Sequence, residues 1–359
     1  FYLSIKIVKV LLGLSGGVDS SVAAYLLKQE GFEVTAGFMR NWEDDDGSPY
    51  CSVKEDFMDA AQVADKLSIN LVQMNFAQKY KEKVFSYFLE ELNKGKTPNP
   101  DIYCNKYIKF KEFTDYAFEN GYDAVATGHY SKIQVIDREY FLCKSYDQTK
   151  DQTYFLSQVD KEIFSKIKFP LGNLLKTDVR KIAERENLIT FDKKDSTGIC
   201  FIGERPFPEF LKNYLPEEYG EIVDDSGEVI GSHKGLHFYT IGQRQGLGIG
   251  GLKNREEKAW YVVDKDFSNN KLVVVQENNH PLLFKTELKV SNINWLKEPS
   301  SNLVSAKIRY RQRDQVCEID VEENHAFVRF KEPQRAVTPG QFIVFYEDEI
   351  CLGGGEIDI

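Results

Sequence analysis

Gly13-Leu-Ser-Gly-Gly-Val-Asp-Ser-Ser21 follows directly on the apolar run Ile5-Lys-Ile-Val-Lys-Val-Leu-Leu12 and leads into the helix-forming stretch Val22-Ala-Ala-Tyr-Leu-Leu-Lys28. The pattern predicts a strand, a glycine turn and a helix start. Two adjacent glycines let the backbone adopt positive φ and approach a ligand closely, Ser15, Ser20 and Ser21 add hydroxyls, and a helix N-terminus offers unpaired amides at its positive dipole end. Such a loop binds an anion, and phosphate suits it best. It is neither a Walker A loop, which needs Lys after its last glycine, nor a G-x-G-x-x-G dinucleotide loop.

Outward from this loop, residues up to about 130 alternate short β-like runs with longer amphipathic stretches, the pattern of a parallel sheet covered by helices. Strands are predicted at Ile7 to Leu14, Glu33 to Met39, Asn70 to Asn75 and Asp123 to Thr127. Helices are predicted at Val18 to Gln29, Val53 to Leu67, Gln78 to Lys94 and Asn105 to Glu119, with Gly31 and Gly121 as stop signals. Open sheets of this kind bind ligands beyond the carboxyl ends of their strands, where Ser15 to Ser21, Met39, Asp101 to Cys104 and Gly128-His129 fall. A hairpin-like passage (Lys132 to Lys144) and helical segments at Lys161 to Ile167 and Thr177 to Asn187 follow, then a linker at Gly203 to Pro208. Beyond it lie glycine-punctuated β runs (Gly220 to Gly231, Trp260 to Asp264, Lys271 to Gln276) and, from about Pro281, the short interrupted runs of a small β-barrel. The reading is an α/β protein in three parts: a parallel-sheet domain (1–205), a central β-rich domain (206–280) and a C-terminal barrel (281–359).

The 359 residues are too many for one ordinary core, and 42% hydrophobic with 28% charged residues is usual for a globular protein. No apolar stretch reaches the roughly 18 residues of a membrane span, and no secretory signal is visible, so a cytoplasmic location is expected. The net charge of −10 argues against nucleic-acid binding by the surface at large and leaves room for a local basic face. Six cysteines at irregular spacing suggest a reducing compartment in which thiols serve chemistry or metal.

Cys104, beside a helix predicted to begin at Asn105, would have its thiolate stabilised by the helix terminus, and Asp101 three residues earlier can exchange protons with a substrate. Cys200 lies in an apolar run flanked by glycines. Cys143, Cys317 and Cys351 fall in β runs and read as packing residues. Lys307-Ile-Arg-Tyr-Arg-Gln-Arg313 would, as a strand, carry Lys307, Arg309, Arg311 and Arg313 on one face, a local phosphate footprint.

The pyrophosphate loop resembles that of the ATP pyrophosphatase superfamily. Over nearly its full length the chain resembles the tRNA-specific 2-thiouridylase family, on these stretches: Gly13-Leu-Ser-Gly-Gly-Val-Asp-Ser20, Thr97-Pro-Asn-Pro-Asp-Ile-Tyr-Cys-Asn-Lys106, Ala126-Thr-Gly-His-Tyr130, Lys150-Asp-Gln-Thr-Tyr-Phe-Leu156, Lys194-Asp-Ser-Thr-Gly-Ile-Cys-Phe-Ile-Gly-Glu-Arg205, Thr240-Ile-Gly-Gln-Arg-Gln-Gly-Leu-Gly248 and Pro339-Gly-Gln341. The resemblance implies an adenine nucleotide hydrolase-like catalytic domain that adenylates the C2 oxygen of a tRNA wobble uridine (position 34) and replaces AMP with persulfide sulfur. It implies Gly13, Leu14, Ser15, Gly16, Gly17, Val18, Asp19, Ser20, Met39 and Gly128 as ATP contacts, with Mg²⁺ on the phosphates. It implies Cys200 as persulfide carrier, Asp101 as general acid or base, and Cys104 either releasing hydrosulfide or resolving the intermediate, with a Cys104 to Cys200 disulfide in both cases. Asn99, Pro100, Asp101, His129, Lys150, Asp151 and Gln152 would surround the flipped base and anticodon loop, and Arg309, Tyr310 and Gln341 would touch tRNA from the barrel. An upstream persulfide protein would supply sulfur, and the chain is expected to be a monomer. Cys51 with Cys104 and Cys200 would be the thiolates of an iron–sulfur alternative. A pyrophosphate-loop ligase that aminates another substrate has no use for paired cysteine motifs, and a non-catalytic RNA-binding or sulfur-carrier protein has no need of intact Asp19, Asp101, Cys104 and Cys200.

Overall fold

The structure is a computed structural model and describes residues 7–43, 53–195, 207–250, 258–323 and 325–358. Its first sheet is parallel, in the order β3-β2-β1-β4-β7, from β1 (Lys9–Gly13), β2 (Glu33–Arg40), β3 (Asn70–Asn75), β4 (Ala124–Thr127) and β7 (Ile167–Lys168). The strand order reverses between β1 and β4, so the loops after these two strands open onto one crevice.

α1 (Val18–Gln29), α2 (Val53–Lys66) and α5 (Lys176–Arg185) cover one face of the sheet, burying Val22, Leu27, Val63 and Val179 against Leu12 and Ala126. The other face is covered by α3 (77–93) and α4 (100–119), both wound partly as π-helix, through Lys81–Phe85 and Cys104–Glu112. Gly31 and Gly121 end their helices at positive φ, and the amides of Phe32 and Tyr122 reach back to the Leu27 and Ala117 carbonyls.

The central sheet, β10-β11-β8-β9, comprises β8 (Gly220–Asp224), β9 (Val229–His233), β10 (Trp260–Asp266) and β11 (Lys271–Gln276). The barrel closes as β12-β15-β14-β13-β16-β17, with β17 returning to β12. Its strands are β12 (Phe284–Trp295), β13 (Leu303–Lys307), β14 (Gln315–Glu322), β15 (His325–Arg335), β16 (Phe342–Glu347) and β17 (Ile350–Asp358). The architecture is the α/β sheet, central domain and barrel expected from the sequence.

The predicted hairpin forms as β5 (Lys132–Ile136) and β6 (Glu139–Cys143), and it extends the barrel sheet through Cys143 against Ile350. Two local expectations are corrected. The helix expected at Asn105 begins at Pro100, where the Asn99 side chain accepts the Asp101 amide at 3.2 Å. Proline at N1 with an Asn cap before it is a better start signal than the one first read. The basic strand expected over Lys307 to Arg313 stops at Lys307: Gln312 captures the Ile308 amide at 2.8 Å, and Arg311 turns the chain at φ 64°.

One core runs across the junction of catalytic sheet and barrel, joining Cys104, Phe113 and Tyr154 to Phe342, Tyr346 and Cys351. Polar ties fix that junction. Tyr154 donates to the Phe342 carbonyl at 2.9 Å, Gln158 to the Gly354 carbonyl at 2.6 Å, and Asn294 to the carbonyls of Ser157 and Val159. A shared apolar core and these hydrogen bonds therefore join the barrel to the catalytic helices.

Candidate active site

The apolar strand β1 delivers the glycine loop, and the loop is built as a phosphate cradle. Gly16 sits at φ 77°, and a Cβ there would lie 2.2 Å from the Asp56 carbonyl oxygen. Gly17 is the N-cap of α1 and no side chain caps the helix, leaving the first-turn amides for a ligand. Ser20 and Ser21 turn their hydroxyls back to the Gly17 carbonyl, and Ser20 Oγ accepts the Ser15 amide. Gly128 packs against this turn: a Cβ there would fall 2.8 Å from the Ser20 nitrogen. Met39 closes the crevice from β2, with its Cε about 3.1 Å from where a Cβ on Gly13 would sit. The ten positions expected to hold ATP thus lie around one helix terminus.

The carboxylate of the loop has partners that sequence reasoning missed. Asp19 accepts both hydrogen bonds from Lys176 Nζ (2.7 and 2.8 Å) and one from the Tyr130 hydroxyl (2.8 Å). Lys176 also pairs with Asp195 at 2.8 Å, and Asp195 is held in turn by Lys150 and Arg180. Burial raises the Asp195 carboxyl, but the bonds from Lys150 and Lys176 outweigh it and hold the group at about 2. Asp147 places Lys176 by accepting its backbone amide at the start of α5. The only sequence signal for Lys176 was its position at a helix start. Its two carboxylate partners lie 157 residues before it and 19 (195 minus 176) after it.

A second cluster forms around Thr97. Its amide donates to the Pro339 carbonyl, its carbonyl accepts Gln341 Nε2 at 2.6 Å, and its hydroxyl accepts that of Thr240 at 3.0 Å. Gly340, at φ 85°, lies so close that a Cβ would sit 2.8 Å from Lys96 Cβ. Three of the quoted stretches, separated by up to 244 residues, therefore meet at the loop that presents Asn99, Pro100 and Asp101.

Other expected residues have structural partners. Asp151 is buried, accepting the Ser145 amide and the Thr153 hydroxyl, with Lys307 at 3.6 Å. Gln152 accepts the Tyr130 amide. Half-buried Arg309 donates to the carbonyls of Arg335 and Ala336, and Tyr310 packs on Phe155 with ring centroids 4.5 Å apart. His129 bonds Thr127 Oγ1 through Nδ1, and burial, with Lys109 nearby, holds its imidazole well below the ordinary value, hence neutral. Cys104 is fully buried in the second turn of α4, one turn beyond the capped N-terminus at Asn99. Cys143, Cys317 and Cys351 are buried strand residues whose thiols burial pushes up to about 11, 12 and 12, as packing residues should be. Cys51 and Cys200 lie outside the described residues.

The loop fits a nucleotide polyphosphate. Mg²⁺ fits less fully: among the described residues no cluster of three His, Cys, Asp or Glu is present, and Asp19 is already paired. A magnesium ion here would be carried by phosphate oxygens, with Asp19 as the carboxylate within reach. No described helix is long and apolar enough to cross a membrane.

Comparison with known proteins settles the lineage. The chain is 53% identical over 353 residues to a tRNA-specific 2-thiouridylase of Hahella chejuensis, covering 98% of this chain and 97% of the other. The chain belongs to the tRNA-specific 2-thiouridylase family. Members from Francisella tularensis subsp. novicida (52% identical, 97% of this chain and 99% of the other) and Methylobacillus flagellatus (54%, 97% and 98%) align equally fully. Family descriptions match in chain order: tRNA methyl transferase HUP domain over residues 8–204, tRNA methyl transferase PRC-barrel domain over 208–276 and aminomethyltransferase beta-barrel domain over 285–357. The glycine loop, Lys176 and the residues around Thr97 other than Thr240, Pro339 and Gln341 lie within the stretch matched by the HUP-domain description.

Proposed function

We propose that this protein 2-thiolates the wobble uridine of tRNA at the expense of ATP. The observation that carries the reading is the near-full-length match to the thiouridylase family. The parallel-sheet crevice with its uncapped helix terminus supports the nucleotide half of the reaction, since amides aimed at a polyphosphate need no rearrangement to bind it. Magnesium, when bound, would neutralise phosphate charge there.

In the first step the uracil O2 bonds to the α-phosphorus of ATP, pyrophosphate leaves with the electron pair of the broken P–O bond, and Asp101 takes the N3 proton. In the second, the terminal sulfur of a Cys200 persulfide attacks C2, and AMP departs carrying O2. The Cys104 thiolate then attacks the Cys200 sulfur and expels 2-thiouridine, or acts earlier and frees hydrosulfide. Either route ends in a Cys104–Cys200 disulfide that an external thiol reduces by two electrons. Because Cys104 is buried in the second turn of α4, its attack requires local opening of that turn when substrate or Cys200 arrives. The partners on this reading are tRNA and an upstream protein persulfide.

The test is thiolation of unmodified tRNA with ATP, Mg²⁺ and a labelled persulfide donor, read by retardation on a mercury gel. ATP-dependent product that disappears in both Cys104→Ser and Cys200→Ser is expected. ATP binding without product on any wobble-uridine tRNA would refute the reading.

A further inference from the structure

A cavity of about 380 Å³ lies between the catalytic helices and the barrel, apart from the glycine loop. Its walls are Lys83 of α3, Tyr103, Lys106 and Tyr107 of α4, Gln158, and Asn292 of β12. Tyr103 and Tyr107 stand parallel, 5° between planes and 5.8 Å between centroids, and Tyr87 braces Tyr103 at 4.4 Å while donating to Glu356 at 2.7 Å. Lys106 projects over the Tyr107 ring, 5.4 Å from its centroid, and its hydrogen-bond partner among the described residues is the Gln158 amide oxygen, at 3.4 Å. Among the described residues no ion pair holds its ammonium, and burial pushes that ammonium below its ordinary value, with the charge of Asp160 only partly offsetting it. Gln158 is itself fixed by its bond to the Gly354 carbonyl. Glu82 is the one carboxylate in the lining, and it is exposed.

A braced aromatic face, a partly desolvated cation with no carboxylate in direct contact and a preset amide in a cavity of this size suit one chemical class: an unstacked nucleotide, with its base on the ring and its phosphate at the cations. The cavity adjoins the helix that carries Asp101 and Cys104, with Tyr107 less than one turn beyond Cys104. Resting on the tRNA reading above, we propose that this cavity holds an unpaired nucleotide of the RNA substrate flanking the one that reacts, its base on Tyr107 and its phosphate at Lys106 and Lys83. Asn292 is the barrel's one contribution to the lining, so the nucleotide would lie mainly on the catalytic helices, with the barrel at its edge.

The experiment titrates the full chain into a fluorescently labelled RNA hairpin with a uridine-containing loop, at several salt concentrations, with ATP binding measured in parallel. Stacking of one base on an aromatic ring is worth about 1–3 kcal/mol, so Tyr107→Ala should weaken hairpin binding about 5- to 150-fold, while Tyr107→Phe, which keeps the ring, stays within about twofold of wild type. Lys106→Met should weaken binding and lower the salt slope by about one. ATP affinity should not move in any of the three. Hairpin binding by Tyr107→Ala within twofold of wild type overturns the proposal, as does equal loss of ATP binding, which would mark a packing role. Normal hairpin binding with lost sulfur uptake from the persulfide donor would assign the cavity to a protein and also overturn it. A wild-type chain that binds the hairpin through Tyr107 yet thiolates no tRNA would leave this site standing and refute only the thiolase reading.

Discussion

Lys176→Met removes the charge that holds the pyrophosphate loop to the Asp195 segment while keeping the chain length of the side chain. The ammonium is 11% exposed and makes three contacts of 2.7 to 2.8 Å with Asp19 and Asp195, whose carboxylates are about one-third exposed. Charge-assisted bonds of this kind contribute about 1.5–3 kcal/mol each when sheltered, and exposure of the partners reduces that, so the whole loss should be about 2–3 kcal/mol. In a catalytic domain of this size that lowers the thermal midpoint by roughly 4–12 °C. Among the described residues, the substitution also leaves Asp19 with the Tyr130 hydroxyl alone, at the loop proposed to take the polyphosphate. At a separation of roughly 6 Å and an effective dielectric of about 20, a bare carboxylate repels one phosphate charge by about 3 kcal/mol before salt screening. ATP should therefore bind about 10- to 100-fold more weakly. The assays are a urea-unfolding double-mutant cycle with Asp19→Asn and a direct ATP titration. Additivity of the two substitutions within about 0.5 kcal/mol, together with ATP affinity within threefold of wild type, would refute the reasoning.

Gly128→Ala forces a methyl to within 2.8 Å of the Ser20 nitrogen and 3.0 Å of the Asp19 carbonyl carbon, which are backbone atoms that move only with α1. A stability loss of about 1–3 kcal/mol and a more than tenfold fall in tRNA-dependent pyrophosphate release are expected, and unchanged ATP affinity would contradict the cradle. Lys265, in the central domain, is pulled down to about 8 by burial, with Asp264 only partly offsetting it, and donates to the Tyr239 carbonyl. Between pH 8 and 10.5 the unfolded chain then binds the extra proton, so stability rises with pH in that window. Lys265→Met should flatten the rise and add about 1–2 kcal/mol at neutral pH after allowance for partial exposure, as read from urea midpoints at pH 7 and pH 10.5.

Local chemistry was enough to read the catalytic sheet. The apolar runs and glycine stops placed α1 at Val18–Gln29 and β3 at Asn70–Asn75 residue for residue, because these elements follow from periodicity, capping and positive φ within a few positions. The same locality marked the glycine loop as an anion site. It failed at Lys307 to Arg313, where alternation of charge suggested a strand face that the Gln312 side chain interrupts by taking the Ile308 amide. It failed at Pro100, where a cap and a proline outrank the apolar pattern that begins later.

By itself, then, the sequence determined the fold class, the lineage and the glycine loop at the start of α1, since each of these is encoded in contiguous stretches. Only the tertiary structure decided that Lys176 neutralises Asp19, that Thr97 gathers Thr240, Pro339 and Gln341, and that Cys104 lies buried beneath the barrel junction. The reason is physical: these contacts join residues far apart in the chain whose pairing leaves no local period, and they exist only once the sheet, helices and barrel have closed on one another.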